Sequence, residues 1–371
     1  MSAPLQFHSI DPDSIRDFYT SNDLVTFSVS VGDGRALMPG TVRLEGLLAV
    51  TVGGAASSTA DIRLDPFLGA NALFAEVNTE SVLLGVIEQT GAAYTRAVRQ
   101  ISDLTLRPTD LFTGAAVASL QSPDVLLTQQ YVNGVLPIGS AGPPDPIDFS
   151  VTPVIAVNRA SGAVAFSKTG QLRISVRLAT VSDALFGGGS DTTVAYAISN
   201  LRLTCHSVPD TMAPAKVTMR GFSTAETTVQ SAAASISTRL PAVCTSISVS
   251  AIPASRRGSY VYNTAESERV TGLQEMVLML NDTVSGRISQ PLDDEAEVLR
   301  LAIAAVGGGG GHNSVTPEEL VALHKWHIGY PLGAPVDLSK TPFSVQIVTD
   351  GSISNVTPWV FTVIGHSVFS I

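Results

Sequence analysis

The sequence predicts an all-β protein built as two tandem jelly-roll β-sandwiches, a double jelly roll with short helices in the loops between strands. Three observations carry that reading. Short segments of alternating apolar and polar residues, each bounded by Gly, Pro, Asn or Asp, recur along the whole chain, the pattern of strands with one buried face. They do not alternate with long helical patterns, so the sheets are expected to be antiparallel. The second half also repeats the patterns of the first.

The repeat is clearest around two Ser-Lys-Thr steps. Ser167 opens "SKTGQLRISVRLATV" and Ser339 opens "SKTPFSVQIVTDGSI". Turn residues follow each copy, Gly187 to Gly189 in one and "SNVTPW" in the other. A further apolar run comes next, "TVAYAISNLRLTCHSV" or "WVFTVIGHSVFSI". Each half is therefore expected to close with a β-hairpin. Upstream, "ALMPGTVRLEGLLAV" (36–50) and "TRLPAVCTSISVSAI" (238–252) match in the same way.

In chain order, "DLVTFSVSV", "GTVRLEGLLAVTV", "DIRLDPF" and "ALFAEVNTESVLLG" read as strands. The period then changes: Ile87, Tyr94, Val98 and Ile101 approach helical spacing, which predicts a short helix over 91–101. A turn-rich stretch follows, and its "AGPPDP" is a surface loop by composition. Breakers in "HSVPDTMAPAK" (206–216) place the boundary between a first domain, residues 1–208, and a second, residues 215–371, with 209–214 as linker.

In the second half "AAASISTRL", "CTSISVSAI", "GSYVYN" and "LQEMVLMLNDT" read as strands. The interruption from Pro291 to Gly329 parallels the helix-and-loop region of the first half. Within it "TPEELVALHKWH" predicts a helix capped by Thr316, with Pro317 in its first turn and Glu319 completing a capping box. Gly307 to Gly311 read as a loop, because five glycines have too much backbone freedom for strand or helix.

At 371 residues the chain is long enough for two cores. Charged residues are 15% of it and apolar residues 44%, with Gly 31 and Pro 21; so little charge implies surface hidden against partners. A net charge of −10 argues against direct binding of a phosphate backbone. "MSAPLQFHSIDPDSIRDFY" lacks the basic start and apolar core of a secretory leader, and no run reaches the roughly 20 apolar residues of a membrane span, so a soluble chain is expected.

Candidate sites are few. Cys205 and Cys244 lie in apolar runs and read as buried thiols without a disulfide. His324 and His327 at i, i+3 on the predicted helix, with Trp326 between them and His312 upstream, have metal-pair spacing but no third ligand nearby. "LDDEAEV" from Asp293 to Val298 lacks the oxygen pattern and central Gly of a calcium loop and reads as a solvated helix start or loop. Asn281-Asp-Thr and Asn355-Val-Thr fit the glycosylation sequon by chance. Arg256-Arg257, the one adjacent basic pair, reads as a turn that is either solvated or set against an acidic neighbouring chain. There is no Gly-x-Ser-x-Gly elbow or phosphate loop, and Cys205 and His206, adjacent on a strand, point to opposite faces. No catalytic, cofactor-binding or metal residue is assigned, and no cofactor is expected.

The stretch "RLPAVCTSISVSAIPASRRGSYVYNTAESERVTGLQEMVLMLNDT", with its Gly258-x-Tyr260-x-x-Asn263 step and a strand ending at Asn281, resembles the early second barrel of a known family. That family is the double jelly-roll major capsid proteins of tailless icosahedral viruses, the lineage of adenoviruses, tectivirus-like phages and polinton-like viruses. "GRALMPGTVRLEGLLAV", "VIEQTGAAYTRAV" and "AYAISNLRLTCHSV" are similar to its first barrel, whereas 103–160 matches nothing in it. The resemblance implies two upright barrels per chain, short tower loops, and a homotrimer forming a pseudo-hexameric capsomer in a virion shell. It also implies lateral capsomer contacts, penton and minor capsid proteins as partners, a possible internal membrane, and no enzymatic activity. Two rivals are a tandem lectin-like carbohydrate-binding sandwich, for which aromatics are scarce, and a minor or vertex capsid protein, which usually carries one upright barrel.

Overall fold

The computed structural model describes residues 5–32, 34–53, 62–105, 114–121, 138–139, 146–187, 193–240, 243–289, 295–306 and 325–371. The strands of the first half are β1 (Gln6–Ile10), β2 (Phe18–Thr20), β3 (Leu24–Val29), β4 (Arg35–Leu37), β5 (Arg43–Gly53), β6 (Arg63–Leu64), β7 (Phe74–Ser81), β8 (Gly85–Glu88), β9 (Ile138–Gly139), β10 (Ile147–Val151), β11 (Val164–Ala165), β12 (Leu172–Leu178), β13 (Leu185–Phe186) and β14 (Thr193–Pro209). The second half has β15 (Thr218–Val229), β16 (Ala233–Thr238), β17 (Val243–Pro253), β18 (Leu273–Leu280), β19 (Thr283–Ser289), β20 (His327–Asp337), β21 (Phe343–Thr349) and β22 (Trp359–Ser370). Helices α1 (Tyr94–Thr105), α2 (Gly114–Ala118), α3 (Phe166–Thr169), α4 (Val181–Ala184) and α5 (Glu295–Val306) interrupt them.

The two halves have one topology. In the first, β3-β12-β7-β8 form one sheet. In the other sheet β14 pairs β5 along one edge and β1 and β2 along the opposite edge, and β5 pairs β10. In the second half the orders are β16-β21-β18-β19 and β15-β22-β17-β20. Thus β12 corresponds to β21, β5 to β17 and β14 to β22, the three matches read from the sequence. The correspondence extends to β7–β8 and β18–β19, each followed by a helix, α1 or α5. Among the described residues, strand pairs join only strands of the same half.

Alternation explains the burial. Leu44, Gly46, Leu48, Val50 and Val52 of β5 are buried, and the residues alternating with them are half-buried or exposed. Strands β17 and β22 are instead buried on both faces over most of their length, because helices cover the side turned away from their own sandwich: α5 packs on β17 and β20, and α1 touches β22. One hydrophobic core fills the first sandwich and continues into the second half through Met219, Phe222, Ala302, Val306 and Ile364. A second core, including Ile247, Val249, Leu278, Val345 and Phe361, fills the second sandwich.

Several expectations are corrected. The two closing strands of each half do not form a hairpin: β12 pairs β3 and β7, whereas β14 lies in the facing sheet, and β21 and β22 separate likewise. Alternation reports that a strand has one buried face, not which sheet it joins. "GSYVYN" is a turn rather than a strand, with Gly258 at φ 74°. Among the described residues of "DIRLDPF", 62–67, only Arg63–Leu64 is strand. The expected interruption from Pro291 to Gly329 ends in strand β20, so His327 and Gly329 are extended, not helical. The capping residues Thr316, Pro317 and Glu319, and Gly307 to Gly311, lie outside the described residues. The helix over 91–101 is present as a turn at Gly91–Ala93 leading into α1.

Helix α5 approaches β20 so closely at Gly329 that a β-carbon there would sit 2.6 Å from the Ala302 Cα. Gly329→Ala is expected to lower stability by about 1–3 kcal/mol through overpacking, read as a drop in the denaturant midpoint with an unchanged slope.

Candidate functional site: a charged seam between the two sandwiches

Helix α1 is amphipathic yet buried along nearly its whole length. Tyr94, Ala97, Val98, Ile101 and Leu104 recur at helical spacing and enter the first core. Arg96, Arg99, Gln100 and Asp103 occupy the other face and are each at most 5% exposed, because the second sandwich lies against them.

At the centre, Arg99 donates from Nε to Asp103 Oδ1 at 2.8 Å and pairs through Nη1 with Asp65. Its guanidinium lies 4.5 Å above the Phe67 ring, and the Lys325 ammonium is 3.9 Å from that ring's centroid. Asp65 also accepts the Phe67 and Leu68 amides at 2.8 and 3.0 Å, and the Asn263 side-chain amide of the second half at 2.6 Å. His327 donates from Nε2 to Asp103 Oδ2 at 3.0 Å, and Lys325 Nζ lies 3.7 Å from Oδ1. Arg99 and Lys325 thus face Asp65 and Asp103, and the charges balance.

Burial alone would raise the Asp103 carboxyl, but Arg99, His327 and Lys325 outweigh it and hold Asp103 below the ordinary carboxylate range. Burial lowers His327 despite its bond to Asp103, so the ring is neutral. Glu266, beside the cluster, is pushed by burial up to about 7.

Two further nodes flank this one. Arg96 pairs with Glu226 of β15 and donates from Nε to the Thr264 carbonyl at 3.2 Å. Glu226 also pairs with Arg257 at 3.2 Å and accepts the Thr362 hydroxyl at 3.1 Å. On the other side, Glu88 of β8 accepts the Ala156 amide at 2.9 Å and, across the junction, the Phe222 amide at 3.0 Å. Burial pushes Glu88 up to about 7, against the two amides and nearby Arg159. The Ser248 hydroxyl donates to Gln100 Oε1 at 2.6 Å and accepts from His366 Nε2 at 2.7 Å. Burial and Arg159 lower His366 to about 3, so it is the neutral Nε2–H tautomer.

Chemically, this arrangement orients rather than reacts. His327 and Asp103 form a pair, but among the described residues no hydroxyl or thiol bonds the other ring nitrogen, and His327 is 4% exposed. Each central carboxylate already faces a cation. Among the described residues, no three His, Cys, Asp or Glu side chains are grouped to hold a metal ion. What the seam does is fix one sandwich against the other.

No protein-family model matches the chain, and no curated protein matches it in sequence. Solved structures do. The Faustovirus major capsid protein superposes with a TM-score of 0.62 at 10% identity, over 100% of this chain and 90% of that one. The Sputnik virophage structure gives 0.61 at 12% identity, over 99% and 86%. The mavirus major capsid protein gives 0.55 at 11%, over 98% and 88%. The chain has the double jelly-roll fold of these capsid proteins.

In this double jelly roll the residues singled out from sequence are dispersed. His312, His324 and Asp293 lie outside the described residues. His327 is the first residue of β20 and belongs to the seam, and Trp326 is buried beside it; the paired-histidine helix face is not what His327 forms. Val298 sits inside α5, which begins at Glu295. Cys205 and Cys244 are buried without a disulfide. Arg256 and Arg257 lie at the turn Ala254–Arg256, half-buried, and both are paired within the chain: Arg256 with Glu268, 4.8 Å above the Tyr262 ring, and Arg257 with Glu226. Asn281 and Asn355 stand on exposed turns of the double jelly roll, Asn281 at φ 47°.

Sequence reasoning does not find the seam residues Asp65, Glu88, Arg96, Arg99, Asp103 and Glu226. Their one signal is the polar spacing 96, 99, 103 along α1 in a chain poor in charge, which an exposed helix face would show equally. Asn263, the last residue of the family-like Gly-x-Tyr-x-x-Asn step, proves to be the bridge to Asp65. Asn263→Ala is expected to cost about 1–3 kcal/mol by leaving a buried carboxylate short of a donor, measurable by equilibrium urea unfolding.

Proposed function

We propose that this chain is the major shell protein of an icosahedral virus. It works as a homotrimer whose three pairs of sandwiches form a pseudo-hexameric capsomer, with residues 1–208 and 215–371 as the two units and 209–214 as the link. The observation that carries this reading is the repeated topology: two like sandwiches held at a fixed angle supply two sixths of a ring, and three chains complete it. Its role is structural, not enzymatic, in keeping with the inert chemistry of the seam.

In this reading the chain resides in the virion shell after synthesis inside the host cell. Its partners are other capsomers, penton and minor capsid proteins, and an internal membrane where the virus has one. The acidic net charge sets it apart from direct genome binding. None of the described helices is long and apolar enough to cross a membrane.

A lectin-like module is less well supported. A groove of about 690 Å³ between residues 11–19 and the β5–β10–β14 sheet contains Tyr19 and Phe149, but both are buried and present no stacking face. Light scattering of the purified chain is expected to give the mass of three copies, and negative-stain images a hexagonal outline. A chain that stays monomeric at every concentration and forms no shells overturns the proposal.

A further inference from the structure

Where β7 turns into β8 the chain reads Val82-Leu83-Leu84-Gly85-Val86, and the four large side chains are 70%, 63%, 46% and 54% exposed. The duplicated topology supplies a control. The corresponding turn of the second half, between β18 and β19, is Asn281-Asp282, polar and exposed, with φ values of 47° and 59°. The fold therefore closes this hairpin with polar residues, and nothing in its geometry requires the apolar tip of the first half. A run of exposed aliphatic side chains marks a surface made for contact with something apolar.

The backbone of the tip is prepared to leave water. The Val82 amide donates to the Gln171 carbonyl at 3.0 Å, the Leu83 amide to the Thr169 carbonyl at 3.1 Å, and the Leu84 amide to the Ser81 hydroxyl at 3.0 Å. Three consecutive donors are thus satisfied inside the protein, so moving the tip into hydrocarbon leaves none of them bare. Gly170, at φ 65°, lies so close beneath that a β-carbon there would sit 3.2 Å from Leu83 Cγ and 3.3 Å from Val82 Cβ, which fixes the place of the tip. The apolar surface continues beside it: a groove of about 350 Å³ lies between Leu84 and Val86 on one wall and Val243 and Ile371 of the second half on the other, and Val243 is 43% exposed. These residues stand at strand ends, not on the sides of the sandwiches, so a contact here does not compete with side-by-side packing of the chains.

We propose that the Val82–Val86 tip inserts into the hydrocarbon of a lipid bilayer and anchors one end of the molecule there without spanning it. The tip is aliphatic, whereas protein contacts draw most of their binding energy from Trp, Tyr and Arg. A convex turn whose amides are already bonded suits acyl chains, which offer neither a pocket nor a hydrogen-bond partner. Charge plays little part: Lys168 and Lys216 near the tip are matched by Glu80 and Asp210, so a neutral bilayer serves as well as an anionic one. The inference deepens the shell-protein reading and rests on it for which bilayer is met, while insertion itself stands on the geometry of the tip.

The test floats the full chain with vesicles of phosphatidylcholine, and with vesicles that also contain phosphatidylglycerol, at low and high salt. Wild type is expected to float with both. Val82→Asn with Leu83→Asp, which copies the polar turn of the second half, is expected to weaken partitioning by a factor of about ten or more, with circular dichroism confirming that it folds. Leu83→Trp supplies a second readout. Trp326 and Trp359 are 5% and 6% exposed, so the indole at position 83 is the accessible one, expected to shift its emission to the blue on vesicles and to be quenched by lipids brominated on their acyl chains. A wild type that does not float, a polar variant that floats equally well, or an indole that brominated lipids leave unquenched overturns the proposal. So does binding confined to anionic vesicles and abolished by salt, which would place the contact on the lysines, or a polar variant whose only change is loss of the oligomer, which would make the tip a contact between copies. Light scattering on the same samples separates the two readings: a monomeric wild type that still floats removes the shell reading and leaves the tip, whereas a trimer that does not float removes the tip alone.

Discussion

Arg99→Met is expected to lower the unfolding free energy by about 3–5 kcal/mol, the cost of leaving buried charges without their partner. Arg99 is 1% exposed and stands between the carboxylates of Asp65 and Asp103. Methionine fills much of the volume but returns no charge, so Asp65 and Asp103 would keep Lys325 and their neutral donors but lose the guanidinium between them. Adding Asp103→Asn to Arg99→Met is expected to recover part of the loss, because the surplus anion disappears. Chemical denaturation of the single and double variants measures both effects; a single variant within about 0.5 kcal/mol of wild type would mean that water, not Arg99, solvates the carboxylates.

The second large effect is a pH dependence. Glu88 keeps its proton in the folded chain up to about pH 7, whereas its ordinary value is 4.5. For a carboxyl raised in this way the folded state binds more protons than the unfolded one, so its contribution is complete below pH 4.5 and is lost as pH rises to 7. A shift of this size corresponds to about 3 kcal/mol. Glu266 acts in the same direction, while His366, neutral down to about pH 3, costs stability as pH falls below 6.5. The wild-type profile therefore mixes opposing slopes. Glu88→Gln isolates one: between pH 4.5 and 8 the variant is expected to gain about 3 kcal/mol on wild type. A difference that stays flat over that range would mean Glu88 is ionised throughout, held by the Ala156 and Phe222 amides and Arg159.

The duplication is legible because strand sequences keep their alternation and their place after Ser-Lys-Thr. Residue pattern alone matches β12 with β21, β5 with β17, and β14 with β22. What alternation does not encode is partner choice, and so it suggests hairpins for β14 and β22 that these strands do not form. Strands β15 and β20 escape sequence reading for different reasons. The sequence "TMRGFSTAETTV" is polar over much of its length because β15 is the edge strand facing the junction. In "HIGYPLGAPVD" two prolines and two glycines imitate a loop, yet the glycine at 329 is there for the passage of α5. The seam is the least legible part. A polar helix face reads as solvated unless another domain is known to cover it, and Asp65 reaches Arg99, Glu226 reaches Arg96 and Asn263 reaches Asp65 from more than thirty residues away in sequence.

The core that runs from the first sandwich into Phe222, Ala302 and Ile364 has a mechanical consequence. With apolar packing and balanced ions on both flanks, the two units cannot hinge independently, so the polypeptide behaves as a rigid tile. In the shell proposed above, curvature would then have to be absorbed at the boundaries between molecules.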